Sequence, residues 1–282
     1  MGQNPASSDE RGSTIEVASD PGSVAIKRSS FWIPNRVDTR RLPFEVSLMV
    51  RSELSPLGIL TLVGFSVGAV LFDMDGVLVD STAAVERHWR EFASRHRLDA
   101  ETLISGIHGR RSSEIIAECV PHADIGRELG WMESLELADA SDVSVLPGAQ
   151  WLTEHLHPSS WAVVTSGARS IAEARLASAG LATPGVLITS DDVIRGKPDP
   201  SGYLQAAEML GISPQSCIVF EDAPAGIAAA LAAAMVAIGV STTHTTAELS
   251  AAHQVIENLS CVSVRERLPL VFELVDPGAR NR

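Results

Sequence analysis

Four short polar clusters carry the side chains that could do chemistry here, and each stands behind a short apolar run. Asp73-Met74-Asp75-Gly76 follows residues 69–72, and Thr165-Ser166-Gly167 follows 161–164. Gly196-Lys197-Pro198 lies in the loop after 186–189, and Glu221-Asp222 follows 217–220. Brought together, these carboxylates repel one another and need a hard cation. Oxygen donors and an ion that keeps part of its water favour Mg²⁺. Such a cation beside an ammonium and a hydroxyl donor suits a phosphoryl group. Asp73 could attack phosphorus as a carboxylate nucleophile. Asp75, two residues on past a turn eased by Gly76, could protonate the leaving oxygen and then activate water. Lys197 would offset the oxyanion charge, and Thr165 would donate to a phosphoryl oxygen.

The elements around these clusters read as strands and helices in alternation. Apolar runs at 69–72, 161–165, 186–189, 217–220 and 236–240 have the length and composition of buried strands. Helical stretches at 168–179, 201–210, 225–234 and 245–253 separate them. This is the pattern of an α/β fold, an open and mostly parallel sheet with helices on both faces, in which ligands bind at the carboxyl ends of the strands. One interval breaks the alternation. Between the first and second of these strands lie the residues from Asp73 to Ser160, far more than a crossover needs. Residues 82–145 are rich in Glu, Ala, Leu and Arg, with helices expected at 82–96 and 113–119. They read as a small helical domain inserted after the first strand, leaving 67–81 and 146–282 as the core.

Residues 1–66 read differently. The first 30 are rich in Ser, Gly, Asp and Pro with no sustained period, and an unstructured extension is expected up to residue 66. It lacks the charged start and apolar stretch of a signal peptide. The apolar run 57–72 is too short and too interrupted by glycine to span a membrane, and it reads as a buried strand after a loose leader.

Charge narrows the partners. The chain of 282 residues has 22 basic and 35 acidic side chains, a net charge of −13. Residues 1–66 carry seven of each sign, which leaves 28 acidic and 15 basic for 67–282. An acidic body repels a phosphate backbone, so nucleic acid is not an expected partner. Only two lysines occur, Lys27 and Lys197. A single lysine in an otherwise arginine-using body marks a position that wants a compact ammonium. The three cysteines, Cys119, Cys217 and Cys261, are far apart and fit buried thiols in a reducing compartment, so a cytoplasmic protein is expected.

At these clusters the sequence resembles the haloacid dehalogenase-like superfamily, whose four motifs run in this order. Phe72-Asp73-Met74-Asp75-Gly76-Val77 is similar to the first motif, Thr165 to the second, Lys197 to the third and Glu221-Asp222 to the fourth. The resemblance implies a Rossmann-like core, a cap domain over small substrates, and Mg²⁺. It implies Asp73 as nucleophile and Asp75 as general acid/base. It implies a metal held by Asp73, the backbone carbonyl of Asp75, Asp222 and Glu221. The stretches 161–167 and 220–226 look like those of sugar and polyol phosphate phosphatases. Ala234 departs from the pattern, which usually has glycine there.

The expected activity is Mg²⁺-dependent hydrolysis of a small phosphorylated sugar or polyol through an aspartyl phosphate, by a monomer or weak homodimer that binds no membrane. A hexose-phosphate mutase of the β-phosphoglucomutase type shares all four motifs, and a non-catalytic phosphosugar-binding protein is the reading from another class. Ser166 and Gly167 are expected to touch substrate. In the insert, His108, Arg110 and Arg111 either reach over the crevice to read the substrate or belong to a solvated loop with a salt bridge. His88, Trp89 and His96 read as packing or surface residues. Asp191-Asp192 is placed to orient Lys197 or the metal.

Overall fold

The computed structural model describes residues 47–55, 58–267 and 270–274. In chain order the elements are β1 (Ser47–Ser55), β2 (Gly58–Val67), β3 (Ala69–Phe72) and β4 (Val79–Asp80). Then come α1 (Thr82–His96), α2 (Ala100–Ile104), α3 (Ser112–Cys119), α4 (Ile125–Ala138), β5 (Ser144–Val145) and α5 (Ala149–His155). The second half holds β6 (Trp161–Val164), α6 (Arg169–Ser178), β7 (Leu187–Ile188), α7 (Ser201–Leu210), β8 (Cys217–Glu221) and α8 (Pro224–Ala232). It ends in β9 (Val236–Val240), β10 (Gln254–Ile256), β11 (Val262–Arg267) and β12 (Leu270–Leu274).

Six strands form one parallel sheet in the order β10-β9-β8-β3-β6-β7. Strand β3 is buried throughout, and its side chains alternate between two apolar layers. Val70 and Phe72 face Leu152 of α5 and Ala172 and Leu176 of α6. Ala69 and Leu71 face Tyr203 and Ala206 of α7 and Ile227 and Ala230 of α8. Helices therefore cover both faces, as the unbroken apolar runs required. Phe72 stacks on Phe220 of the neighbouring strand at 5.5 Å between ring centroids. Burying each such ring contributes about 2–3 kcal/mol. The chain leaves β3 on one side for β6 and β7 and returns on the other for β8, β9 and β10. The ends of β3 and β8 thus flank the point where strand order reverses, the place for a ligand crevice in open sheets.

Between β3 and β6, helices α1 to α4 pack around an apolar cluster of their own, with Trp89, Phe92, Ile104, Ile116 and Met132 at its centre. The segments entering and leaving this insert run side by side as the antiparallel pair β4–β5.

Three expectations change. Ordered strands begin at Ser47, so the extension is not unstructured up to residue 66; residues 1–46 lie outside the described residues. The apolar run 57–72 is two strands rather than one. β2 joins a four-stranded antiparallel sheet, β1-β2-β12-β11, and β3 joins the parallel one. The break is at Gly68, where a Cβ would lie 2.8 Å from Ile212 Cγ2. Residues 245–253 form turns instead of a helix. Thr245 and Glu248 make the reciprocal bonds of a capping box. One turn later His253 N–H is already bonded to the Ala237 carbonyl, which takes the chain back to the sheet.

Candidate active site

The site is built where strands stop. Asp73 directly follows β3, and its N–H donates to the Phe220 carbonyl at 2.9 Å, so strand pairing carries on into the carboxylate position. Asp73 is 4% exposed. Its Oδ1 accepts from Lys197 Nζ at 2.5 Å. Lys197, 6% exposed, also donates to Glu221 Oε1 at 2.5 Å and to the Val164 carbonyl at 3.2 Å. The three polar clusters after β3, β7 and β8 therefore meet on one ammonium. Burial opposes the charge on Lys197, but the Asp73 and Glu221 carboxylates beside it outweigh this and hold its pKa well above the ordinary value.

Glu221 and Asp222 have different roles. Glu221 is fully buried. Its Oε1 also accepts from Tyr203 Oη at 3.0 Å, and its Oε2 accepts the Ala223 N–H at 3.0 Å. The carboxylate lies over Gly226 of α8, where a Cβ would fall 1.6 Å from Oε1. Asp222, 2% exposed, accepts from the Thr243 hydroxyl on Oδ2, while its Oδ1 is buried with no hydrogen-bond partner. Gly76, at φ +82°, leaves room for this group: a Cβ there would lie 2.1 Å from Asp222 Oδ2.

Asp73, Glu221 and Asp222 each offer an oxygen within 4.8 Å of the others. Burial, with Lys197 working against it, raises the Asp73 pKa to about 7. Burial and the neighbouring carboxylates raise that of Asp222 well above the usual range. Hard oxygen donors, an orphaned buried oxygen and carboxyls kept reluctant to ionise together fit a divalent cation. The cluster can hold one.

Asp75 is held by two donors. Its Oδ1 accepts from Ser81 Oγ at 2.5 Å and Arg175 Nη1 at 3.0 Å. Ser81 stands at the N-cap of α1, yet its side chain makes no cap bond and goes to Asp75 instead. Arg175 Nη2 reaches Glu136 Oε2 of α4 at 3.1 Å. Thr165 is buried, and its Oγ1 accepts the Gly167 N–H at 3.1 Å, which folds the turn that follows β6.

The insert residues separate. His108 packs edge to face on His244 at 5.7 Å between centroids, and His244 Nδ1 lies 2.9 Å from the Asp222 carbonyl. Burial first, then His244, lower the His108 pKa. The Gly109 carbonyl accepts from Ser166 Oγ at 2.9 Å, so Ser166 ties the insert to the core in this structure. Arg110 pairs with Glu118 at 2.5 Å beside a hollow inside the insert, the salt-bridged alternative for that residue. Arg111 donates to backbone carbonyls of the loop before Lys197, a placement outside both readings of the sequence, over the crevice or in a solvated loop. Asp192 accepts from Thr189 and Arg169 and so fixes the start of the same loop.

Tyr203, Thr243 and Arg175 were not singled out from the sequence. Tyr203 had a signal, as the one tyrosine in the chain. Thr243 and Arg175 act across more than 20 residues and leave no local trace.

A family model described as haloacid dehalogenase-like hydrolase matches residues 67–234. The chain belongs to this family. Hexitol phosphatase A of Escherichia coli is 40% identical over 202 residues, covering 70% of this chain and 94% of that protein. The 2-deoxyglucose-6-phosphate phosphatase 2 of Saccharomyces cerevisiae is 34% identical, covering 77% and 99%. A crystal structure of a hydrolase from Pseudomonas syringae superposes with a TM-score of 0.63 at 26% identity, over 68% of this chain and 94% of that one. The matched residues hold the parallel sheet described above, with Asp73 and the acidic pair Glu221-Asp222 at the ends of the adjacent strands β3 and β8.

Proposed function

We infer that this chain hydrolyses the phosphate monoester of a small sugar or polyol, with Asp73 as nucleophile. The observation that carries the reading is the ammonium of Lys197 shared by Asp73 and Glu221 in a buried site, with the orphaned Asp222 oxygen in the same acidic cluster. Phosphatases of hexitol and deoxyglucose phosphates among the relatives support the substrate class. Asp73 and Asp222, with the backbone carbonyl of Asp75 and Glu221, would hold Mg²⁺, which when bound supplies charge for the phosphoryl oxygens. Asp73 attacks phosphorus, and Asp75 gives a proton to the departing alkoxide. An aspartyl phosphate forms on Asp73, and Asp75 then takes a proton from the water that hydrolyses it. Lys197 keeps Asp73 in line and offsets charge on the phosphoryl group. Thr165 and the Gly167 turn face the phosphoryl position, and His108 faces the leaving group. Residues 82–145 serve as a cap over the core segments 67–81 and 146–282.

A mutase must also grip the second phosphate of a bisphosphate. Arg110 and Arg111, the two cations of the loop before α3, are both committed elsewhere, which supports hydrolysis. A cytoplasmic monomer or weak dimer completes the proposal; no described helix is long and apolar enough to cross a membrane. The test is phosphate release from hexitol, deoxyhexose, glycerol and glycolate phosphates, with Mg²⁺ or EDTA. Turnover of polyol or sugar phosphates, lost in EDTA and in Asp73→Asn, is expected. Isomerisation without release, after adding a hexose bisphosphate, overturns it.

A further inference from the structure

The loop that delivers Lys197 is held from the insert. Arg111 immediately precedes α3. Its Nη1 donates to the carbonyls of Val193 at 3.3 Å and Ile194 at 2.9 Å, and its Nη2 to that of Ser190 at 3.0 Å. One turn on, Glu114 Oε1 accepts the Gly196 N–H at 3.0 Å. Gly196 leaves the space that the arginine stem fills: a Cβ there would lie 2.4 Å from Arg111 Cδ. Three carbonyls and one amide of residues 190–196 are thus bonded to the start of α3, and the next residue is Lys197. The Ile194 side chain does nothing to fix this stretch, since it is 96% exposed, while the loop's own ties run from Gly196 and Arg195 to Asp199 beyond Lys197. Bonds from a guanidinium to carbonyls are charge-assisted, and the planar fork sets direction as well as distance.

We propose that Arg111 and Glu114 are positioning residues that clamp residues 193–196 and thereby aim the Lys197 ammonium at Asp73. The insert is then part of the catalytic frame. The role rests on the phosphatase reading, and it replaces substrate contact by Arg111, whose two terminal nitrogens are spent on the loop.

The test compares Arg111→Met, Glu114→Ala and Gly196→Ala on two substrates with Mg²⁺ present. One is acetyl phosphate, which has no hydroxyl groups for the insert to read, and the other is a hexitol phosphate. A misaimed lysine slows both alike, so kcat is expected to fall about 10- to 100-fold on each with KM unchanged. Arg111→Lys, which can still reach one carbonyl, is expected to restore part of the rate. A KM rise confined to the hexitol phosphate, with acetyl phosphate turned over at the wild-type rate, overturns the proposal in favour of substrate reading. Wild-type rates on both substrates overturn it too. Should Arg111→Met not fold, the Glu114 and Gly196 variants decide by the same criteria. Hydrogen exchange separates failure of the clamp from failure of the phosphatase reading. Even in a protein inactive on every ester, the amides of 193–197 should lose about tenfold in protection in Glu114→Ala, and unchanged protection overturns the clamp.

Discussion

Arg175 Nη1 lies 3.0 Å from Asp75 Oδ1, while its Nη2 lies 3.1 Å from Glu136 Oε2. One buried guanidinium of α6 therefore joins the Asp75 carboxylate, in the loop after β3, to helix α4 of the insert. Burial pushes the Glu136 carboxyl up, and Arg175 works against that shift. Removing the cation would leave Glu136 buried without a partner, which costs more than the pair itself contributes. Arg175→Met is expected to lose about 3 kcal/mol in urea unfolding. Arg175→Met with Glu136→Leu should recover much of that loss. Equal midpoints for the single and double variants would show that the pair does not hold these elements together.

The acidic cluster is expected to make stability depend on pH and, on the proposed reading, on Mg²⁺. The Asp73 pKa is raised to about 7 from an ordinary value near 3.8, chiefly by burial. A carboxyl raised in the folded state binds its proton more tightly there than in the unfolded chain. Its contribution is fully present below the unfolded value and is lost as pH rises through about 7. In EDTA, Tm is expected to fall between pH 5 and 8. Mg²⁺ held by the cluster would compete for the same oxygens as the proton, so its stabilising effect should grow over that interval. Scanning calorimetry with and without Mg²⁺ checks both signs, and a metal effect that shrinks as pH rises would remove the cluster as its site.

The polar clusters were legible in sequence because each is short and placed straight after an apolar run or in the loop that follows one. Asp73, Lys197, Glu221 and Asp222 meet as that spacing implied. What joins them was not legible. Tyr203 sits on an otherwise ordinary amphipathic helix, and its hydroxyl matters only because β8 brings Glu221 beside it. Arg111 reads in sequence as a substrate-reading cation or a solvated, salt-bridged loop residue, and only the fold shows its nitrogens bonded to Ser190, Val193 and Ile194. The antiparallel sheet was hidden for a similar reason. Pairing between β2 and β12 spans some two hundred residues, with Leu270 opposite Val67, and no local pattern encodes such a contact.

Gly226 sets two effects against each other. It lies inside α8, where alanine in place of glycine ordinarily gains about 0.5–1 kcal/mol. Here the added Cβ would sit 1.6 Å from Glu221 Oε1 and 1.9 Å from its Cδ. The carboxylate has no slack, since Lys197, Tyr203 and the Ala223 amide all bind it. Overpacking of this kind costs about 1–3 kcal/mol, which outweighs the helix gain. Gly226→Ala is expected to lower Tm and to cut kcat about 100-fold by shifting the lysine. A more stable and fully active variant would mean that Glu221 is free to move.

Ala234 calls for the opposite change. At φ 58° it is one of two described non-glycine residues in the left-handed region. It follows α8 in a Schellman ending, where Met235 N–H bonds the Ala230 carbonyl and Ala234 N–H that of Leu231, both at 3.0 Å. The left-handed conformation costs an L-residue about 1–2 kcal/mol, which glycine avoids. Glycine in turn loses more chain entropy on folding, about 0.4–1 kcal/mol. The Ala234 methyl is exposed and gives back little by burial. The balance favours Ala234→Gly by about 0.5–1 kcal/mol, or about 1–4 °C in Tm for a core of this size. The residue stands away from the acidic cluster, so kcat and KM should stay at wild-type values. Calorimetry of this one variant is decisive, because a lower Tm would mean that the backbone at 234 bears no strain.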